Sequence, residues 1–290
     1  MRFDDQVVLI TGSSRGLGRA FAKCIAAAGA VVAVNSTGQN DAGDAVVAEI
    51  ESEGGRAFHV TGRAEAGAGL VAAALERGGR LDAVVHNAGF LHDRSVRKMS
   101  DEAWDAVLGV HLKAAFQLAR AAWPAFDEAG GGRLVFVSSA AGLYGNFGQA
   151  NYAAAKMGMY GLCRTIALEG KKANITCNCV APFGATEMNA PTMPDAMKDI
   201  VRAEYVAPLV GYLAHPDCTE SGGLFEASAG AFKKVRWERS EGLRLDTTQP
   251  ITIADIAKGW DRVVDFSSSE HPRHMGEALQ GLASPPSAKP

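Results

Sequence analysis

The sequence predicts a three-layer α/β fold: a doubly wound parallel sheet of about seven strands, with a C-terminal extension. Three observations predict it. Short apolar runs of strand length alternate with longer segments whose apolar residues recur at helical spacing, and the alternation continues to about residue 228. The short runs are apolar at nearly every position, as expected where helices cover both faces of a sheet. A glycine-rich turn, Thr11 to Gly18, stands between the first run and the first helical segment.

The expected strands are 7–11, 31–35, 57–60, 83–86, 134–138, 175–180 and 224–227, and the expected helices are 18–28, 42–53, 67–77, 101–126 and 151–170. Gly130-Gly131-Gly132 supplies a left-handed stop between helix and strand. After residue 228 the alternation is lost. Residues 233–239 are charged around one Trp, 253–266 reads as one amphipathic helix, and Ser284-Pro285-Pro286-Ser287 marks a tail expected to fray. No second core-sized apolar segment follows, so residues 1–228 are expected to form the domain and 229–290 an extension of it.

Of the 290 residues 47% are hydrophobic and 21% charged, which excludes disordered, collagen-like and mini-protein chains. Lys and Arg number 29 against 32 Asp and Glu, a net charge of -3, so no global positive field exists to hold a nucleic acid. The five cysteines, Cys24, Cys163, Cys177, Cys179 and Cys218, are odd in number and scattered, which fits a reducing compartment. Cys177 and Cys179 fall on one face of a strand with no second Cys/His pair near them, and are expected to be buried thiols rather than a metal site. The first apolar run is too short for a signal peptide, no stretch has the length of a membrane span, and Ala288-Lys289-Pro290 is not a peroxisomal address. A cytoplasmic protein without membrane partners is expected.

The turn contains Gly12, Ser14, Arg15, Gly16, Leu17 and Gly18. Glycines let backbone approach a pyrophosphate closely, and the helix start offers free N–H groups and a favourable dipole. A dinucleotide is therefore expected here. Selection of NAD would call for an acidic residue at the end of the second strand, and this chain has Asn35-Ser36-Thr37 instead. With Arg15 inside the turn to meet a 2′-phosphate, Ser36 and its neighbours lean to NADP(H).

Tyr152 and Lys156 are one helical turn apart on one face. A phenol needs about 4 kcal/mol of preferential stabilisation of its anion to act as a base near neutral pH, which an adjacent ammonium and an oxidised nicotinamide can supply. Ser139 follows the fifth strand at the carboxyl edge, where open α/β sheets bind ligands, and is placed to hydrogen-bond a reacting oxygen.

Together the Thr-Gly-x-x-x-Gly-x-Gly turn, Asn87-Ala88-Gly89 after the fourth strand, Ser139 and Tyr152-x-x-x-Lys156 resemble the classical short-chain dehydrogenase/reductase family, with its Rossmann-type sheet, over residues 7 to about 228. Segments 142–152, 120–124, 204–210 and 222–226 are similar to a subgroup, the (3R)-hydroxyacyl-CoA dehydrogenase unit of peroxisomal multifunctional enzyme type 2 and its single-domain bacterial relatives. The resemblance implies hydride transfer between a nicotinamide dinucleotide and a secondary alcohol or ketone, with a 3-hydroxyacyl-CoA or steroid-like substrate. It also implies a homodimer or homotetramer, and NAD rather than NADP.

In family terms Tyr152 exchanges the hydroxyl proton, Lys156 lowers the phenol and holds the nicotinamide ribose, and Ser139 fixes the substrate oxygen. Asn87, Ala88 and Gly89 line the cofactor, and Thr186, in a Met- and Pro-rich segment expected to form a lid, touches its carboxamide. His111 stands where the wider family has a catalytic Asn and the subgroup a His. It either holds a water of the proton relay or bends the helix through its carbonyl. Three departures touch the adenosine end alone: Ser36 replaces the subgroup's acid, the loop 36–43 is short, and Gly62 followed by Arg63 replaces an adenine-side Asp. The alternatives are an NADPH-dependent ketoreductase, such as a 3-oxoacyl reductase, and a non-catalytic binding scaffold.

Overall fold

Strand β1 (Val7–Thr11) is buried at every position, because helices cover both faces of the sheet it belongs to. The computed structural model describes residues 1–38, 41–184 and 193–283, in two compact units, Met1–Lys234 and Val235–Pro290. Across the sheet run β3 (Arg56–Thr61), β2 (Val31–Ser36), β1, β4 (Ala83–His86), β5 (Gly132–Val137), β6 (Ile175–Pro182), β7 (Leu224–Ser228) and β8 (Ala231–Val235). The pairs from β3 to β7 are all parallel. β1 has β2 on one side and β4 on the other, so the winding reverses there and opens a crevice at the carboxyl ends of β1 and β4.

On one face α1 (Gly16–Ala27), α2 (Ala42–Ser52) and α9 (Ala207–Ala214) bury Phe21, Ile25, Ile50 and Val210 against the strands. On the other lie α3 (Gly67–Gly78), α5 (Ala114–Ala129) and α7 (Ala150–Glu169). Cys163, Cys177 and Cys179 are buried where α7 meets β6, and the Cys163 thiol donates to the Cys177 carbonyl at 3.1 Å.

Three features depart from the periodicity. The sheet has an eighth strand: Ala229 and Gly230, with φ of 49° and 76°, turn the chain from β7 into β8. β8 is an exposed edge carrying Lys233 and Lys234, so it lacks the apolar run of its buried neighbours. The helix expected over 101–126 is interrupted: α4 (Asp101–Leu108) passes into a π-helical turn, Gly109–Lys113, before α5. In the second unit the helix expected over 253–266 is two short ones, α10 (Ile253–Lys258) and α11 (Trp260–Val263), divided at Gly259, where a Cβ would stand 2.3 Å from Leu243 Cδ2. That unit also contains β9 (Arg239–Ser240) paired with β10 (Ser269–Glu270), and α12 (Met275–Ala283).

Candidate active site

The turn after β1 is held open from two sides by side-chain amides. Asn35 Oδ1 accepts from Gly12 N at 3.1 Å, while Asn35 Nδ2 donates to the carbonyls of Val60 and Gly62, both at 3.0 Å. Asn87 Nδ2 donates to the carbonyls of Thr11 at 3.2 Å and Gly12 at 2.9 Å. Gly12 has φ +62°, and a Cβ there would lie 2.8 Å from Ala88 Cα; one on Gly18 would lie 2.3 Å from Gly12 O. Arg15 is the N-cap of α1 and makes no side-chain cap hydrogen bond, and the first turn of the helix has no acidic residue. Backbone donors at a helix start with no anion of their own suit a pyrophosphate.

Beside the turn, His86 forms a chain of bonds that the sequence did not announce. Its Nε2 donates to the His111 carbonyl at 2.9 Å, leaving Nδ1 to accept from the Thr11 hydroxyl at 3.0 Å. The Thr11 oxygen in turn accepts from Asn87 N at 3.0 Å and Ala88 N at 3.1 Å. Burial, with the nearby Lys156 ammonium, brings the His86 imidazole down to about 4, so the ring is neutral.

Ser139, Tyr152, Lys156 and His111 come together at the carboxyl edge. Ser139 caps α6 (Ala140–Tyr144), its Oγ accepting from Ala141 N at 3.2 Å. Lys156 Nζ donates to the Val137 carbonyl at 2.5 Å and lies 5.4 Å from the centre of the Tyr152 ring. The Tyr152 and His111 rings meet edge to face, 5.2 Å between centres at 86°. His111 Nε2 donates to the Phe90 carbonyl at 3.0 Å, and its buried Nδ1 has no hydrogen-bond partner among the described residues. Asn151, fully buried, fixes the start of α7: its Oδ1 accepts from Tyr152 N at 2.8 Å and its Nδ2 donates to the carbonyls of His92 and Ala103.

A scan of the chain matches the short chain dehydrogenase family model over residues 6–196. The chain belongs to the short chain dehydrogenases. Members are oxidoreductases acting on CH–OH groups with NAD(P)(H). This short chain dehydrogenase is 46% identical over 291 residues to peroxisomal multifunctional enzyme type 2 of Mus musculus, matching 97% of this chain and 40% of that protein. The structure of full-length peroxisomal multifunctional enzyme type 2 from Drosophila melanogaster superposes with a TM-score of 0.85 at 36% identity, over 97% of this chain and 49% of that one. A short chain dehydrogenase from Mycobacterium avium superposes at 0.80 with 34% identity, over 90% of this chain and 97% of that one. The chain thus spans less than half of the two multifunctional enzymes.

The electrostatics of this dehydrogenase's site differ from the expectation for Tyr152. Burial raises the phenol above its ordinary value, and the neighbouring Ser139 hydroxyl pulls it down by less. Burial also brings Lys156 down to about 7. A half-neutral amine near pH 7 lends the phenol less positive charge than a surface ammonium would. His111 is held well below the ordinary imidazole range, first by burial and then by Lys156.

At the carboxyl end of the sheet Ser36 closes β2, its hydroxyl engaged by His59, and Gly62 N donates to the Ser36 carbonyl at 2.8 Å. Arg63 is exposed and paired with Glu65 at 2.8 Å. Ser14 lies in the turn and Leu17 in the first turn of α1. Thr186, and most of the expected lid with it, lies outside the described residues. Sequence reasoning missed Asn35, His86 and Asn151 as site residues. Asn35 and His86 were legible only as polar residues ending apolar strands, a position that faces the crevice.

Proposed function

We propose that this short chain dehydrogenase transfers a hydride between a nicotinamide dinucleotide and the secondary alcohol or ketone at C3 of a 3-hydroxyacyl-CoA. One observation carries the proposal: Ser139, Tyr152 and Lys156 converge at the carboxyl edge beside the open glycine turn, in a chain similar over nearly its whole length to peroxisomal multifunctional enzyme type 2. The turn fits a dinucleotide, since the space a Cβ on Gly12 or Gly18 would need is already taken by backbone. Gly12, Ser14, Arg15, Gly16, Leu17 and Gly18 would hold the pyrophosphate, Ser36 the adenosine ribose, and Asn87, Ala88, Gly89 and Thr186 the nicotinamide half. When bound, the dinucleotide supplies the hydride donor or acceptor and, oxidised, a positive charge beside the phenol.

The chain's own residues do the rest. Ser139 holds the substrate oxygen against the Tyr152 hydroxyl, and Tyr152 exchanges the proton. Lys156, near 7, takes or returns a proton at Nζ within the operating range, and its bond to Val137 fixes where the amine sits. His111, neutral and edge-on to Tyr152, keeps a second charge away from the phenol. The same geometry serves a 3-oxoacyl reductase running in the opposite direction.

The unit assembles as a homodimer or homotetramer in this reading, with residues 229–290 as an extension of the dinucleotide domain and the cytoplasm as its location. Phe116 on α5, 45% exposed, supports the assembly. No described helix is long and apolar enough to cross a membrane.

Turnover of a (3R)-hydroxyacyl-CoA with NAD+ and with NADP+, followed by the absorbance of the reduced nicotinamide, tests the proposal. Tyr152→Phe is expected to lower kcat by about a thousandfold or more while dinucleotide binding stays within about twofold. Substantial turnover by the Phe variant, or none by the natural chain, overturns it.

A further inference from the structure

A second chain of side-chain bonds lies at the adenosine end of the crevice. His59, on β3, places Nε2 2.8 Å from Ser36 Oγ and Nδ1 3.1 Å from Asp44 Oδ1. Ser36 Oγ also accepts from Gly38 N at 3.2 Å. The ring occupies a built slot: a Cβ on Gly43 of α2 would stand 2.3 Å from His59 Nε2. It faces Asp44 from α2 and Ser36 from β2. From α3 comes Arg77, whose guanidinium donates to the His59 backbone carbonyl and lies 4.9 Å from the Phe58 ring centre.

The hydrogen-bond directions are determined. An ionised Asp44 only accepts, so Nδ1 carries a proton in either charge state of the ring. With the ring neutral, Nε2 is a bare acceptor and takes the Ser36 hydroxyl proton. Ser36 Oγ, with one lone pair engaged by Gly38 N–H, then presents only an acceptor to a ligand. With the ring protonated, Nε2–H donates to Ser36 Oγ instead, and the hydroxyl proton is free to point outward beside a cation.

We propose that Asp44 and His59 act through Ser36 as specificity-determining positioning residues. The neutral relay accepts from a ribose 2′-hydroxyl, as in NAD(H), and the protonated relay donates to a 2′-phosphate, as in NADP(H), so cofactor preference follows pH. The inference rests on the glycine turn being the dinucleotide site, which puts the end of β2 at the adenosine ribose. Among common side chains imidazole is the one that ordinarily changes charge between about pH 5 and 8, where such a switch operates. The absence of an acid at Ser36 is then not a simple lean to NADP(H): with the ring neutral the relay offers the 2′-hydroxyl the same kind of acceptor that a carboxylate would.

Dissociation constants of NADP+ and NAD+ for the full chain, by calorimetry from about pH 5.5 to about 8.5, test this in the natural protein, His59→Gln and Asp44→Asn. The ratio Kd(NADP+)/Kd(NAD+) is expected to rise with pH by about tenfold more in the natural protein than in His59→Gln, the scale of one charge-assisted hydrogen bond. The slope left in His59→Gln is that of the 2′-phosphate's own second ionisation near about 6. In Asp44→Asn the step is expected at lower pH, because the imidazolium has lost its carboxylate. Asp44 is exposed, so this variant keeps the test open if His59→Gln does not fold. A natural-protein ratio that follows His59→Gln at every pH overturns the inference, as does a step that Asp44→Asn leaves unmoved. Failure of the natural protein to bind either dinucleotide overturns both this inference and the reading of the turn.

Discussion

His86 Nε2 donates to the backbone carbonyl of His111 at 2.9 Å, which ties the strand beside the glycine turn to the π-helical turn beside Tyr152. A π-helical turn leaves a carbonyl outside the regular ladder, and such turns concentrate at functional sites. Here a buried imidazole satisfies that carbonyl, and the turn carries the His111 ring to the edge of Tyr152.

Replacing His86 by Leu strands the His111 carbonyl and removes the acceptor of the Thr11 hydroxyl. A loss of about 2–4 kcal/mol in stability is expected from two unsatisfied buried groups, measured by urea unfolding. Because Thr11 also orients Asn87 N and Ala88 N, the dinucleotide Kd is expected to rise in the same variant, while the conservative His86→Gln recovers part of both.

Acid weakens the fold through the same ring. His86 is held near 4 in the native state and near 6.5 when unfolded, so between those values the unfolded chain binds more protons. Stability from this residue is therefore full above about pH 6.5, falls as pH drops toward 4, and changes no further below. The total is about 3 kcal/mol, and it is absent from the pH profile of His86→Gln.

Gly89→Ala tests the packing around His111. A Cβ on Gly89 would stand 2.0 Å from His111 Cε1, so the ring has to move. Displacement of a group beside the phenol is expected to lower kcat/KM by about a hundredfold, with far-ultraviolet circular dichroism unchanged.

Lys156 is a liability to folding. Its amine falls from the ordinary 10.5 to about 7 on burial, so between those values the unfolded chain binds the extra proton and stability rises with pH. Lys156→Met lacks that slope. The melting temperature of the natural protein minus that of the Met variant is expected to increase from pH 7 to pH 10 and to be flat below about 7.

Much of the architecture is legible without coordinates, because buried parallel strands must be apolar at every position. β1 and β4 are bounded as their runs predict. β8 escaped because an edge strand faces water, and the break in 101–126 escaped because a π-helical turn leaves the apolar spacing nearly intact. The division at Gly259 has a sequence signal, a glycine inside an amphipathic run, that outweighs the periodicity around it.

The candidate catalytic group followed the same rule. Tyr152 and Lys156 share a helix, so local spacing alone places them on one face, and the glycine turn carries its own geometry in its residue types. By itself the sequence determined the family, the layers, and the residues whose chemistry depends on near neighbours. Only the tertiary structure decided the partners of the His86 ring, the Asn151 Nδ2 and the His59 ring, which lie 25 or more, 48 or more, and 15 or more residues away respectively. A hydrogen bond depends on tenths of an ångström and on which atom carries the proton, and between distant segments both are fixed only once strands and helices have packed.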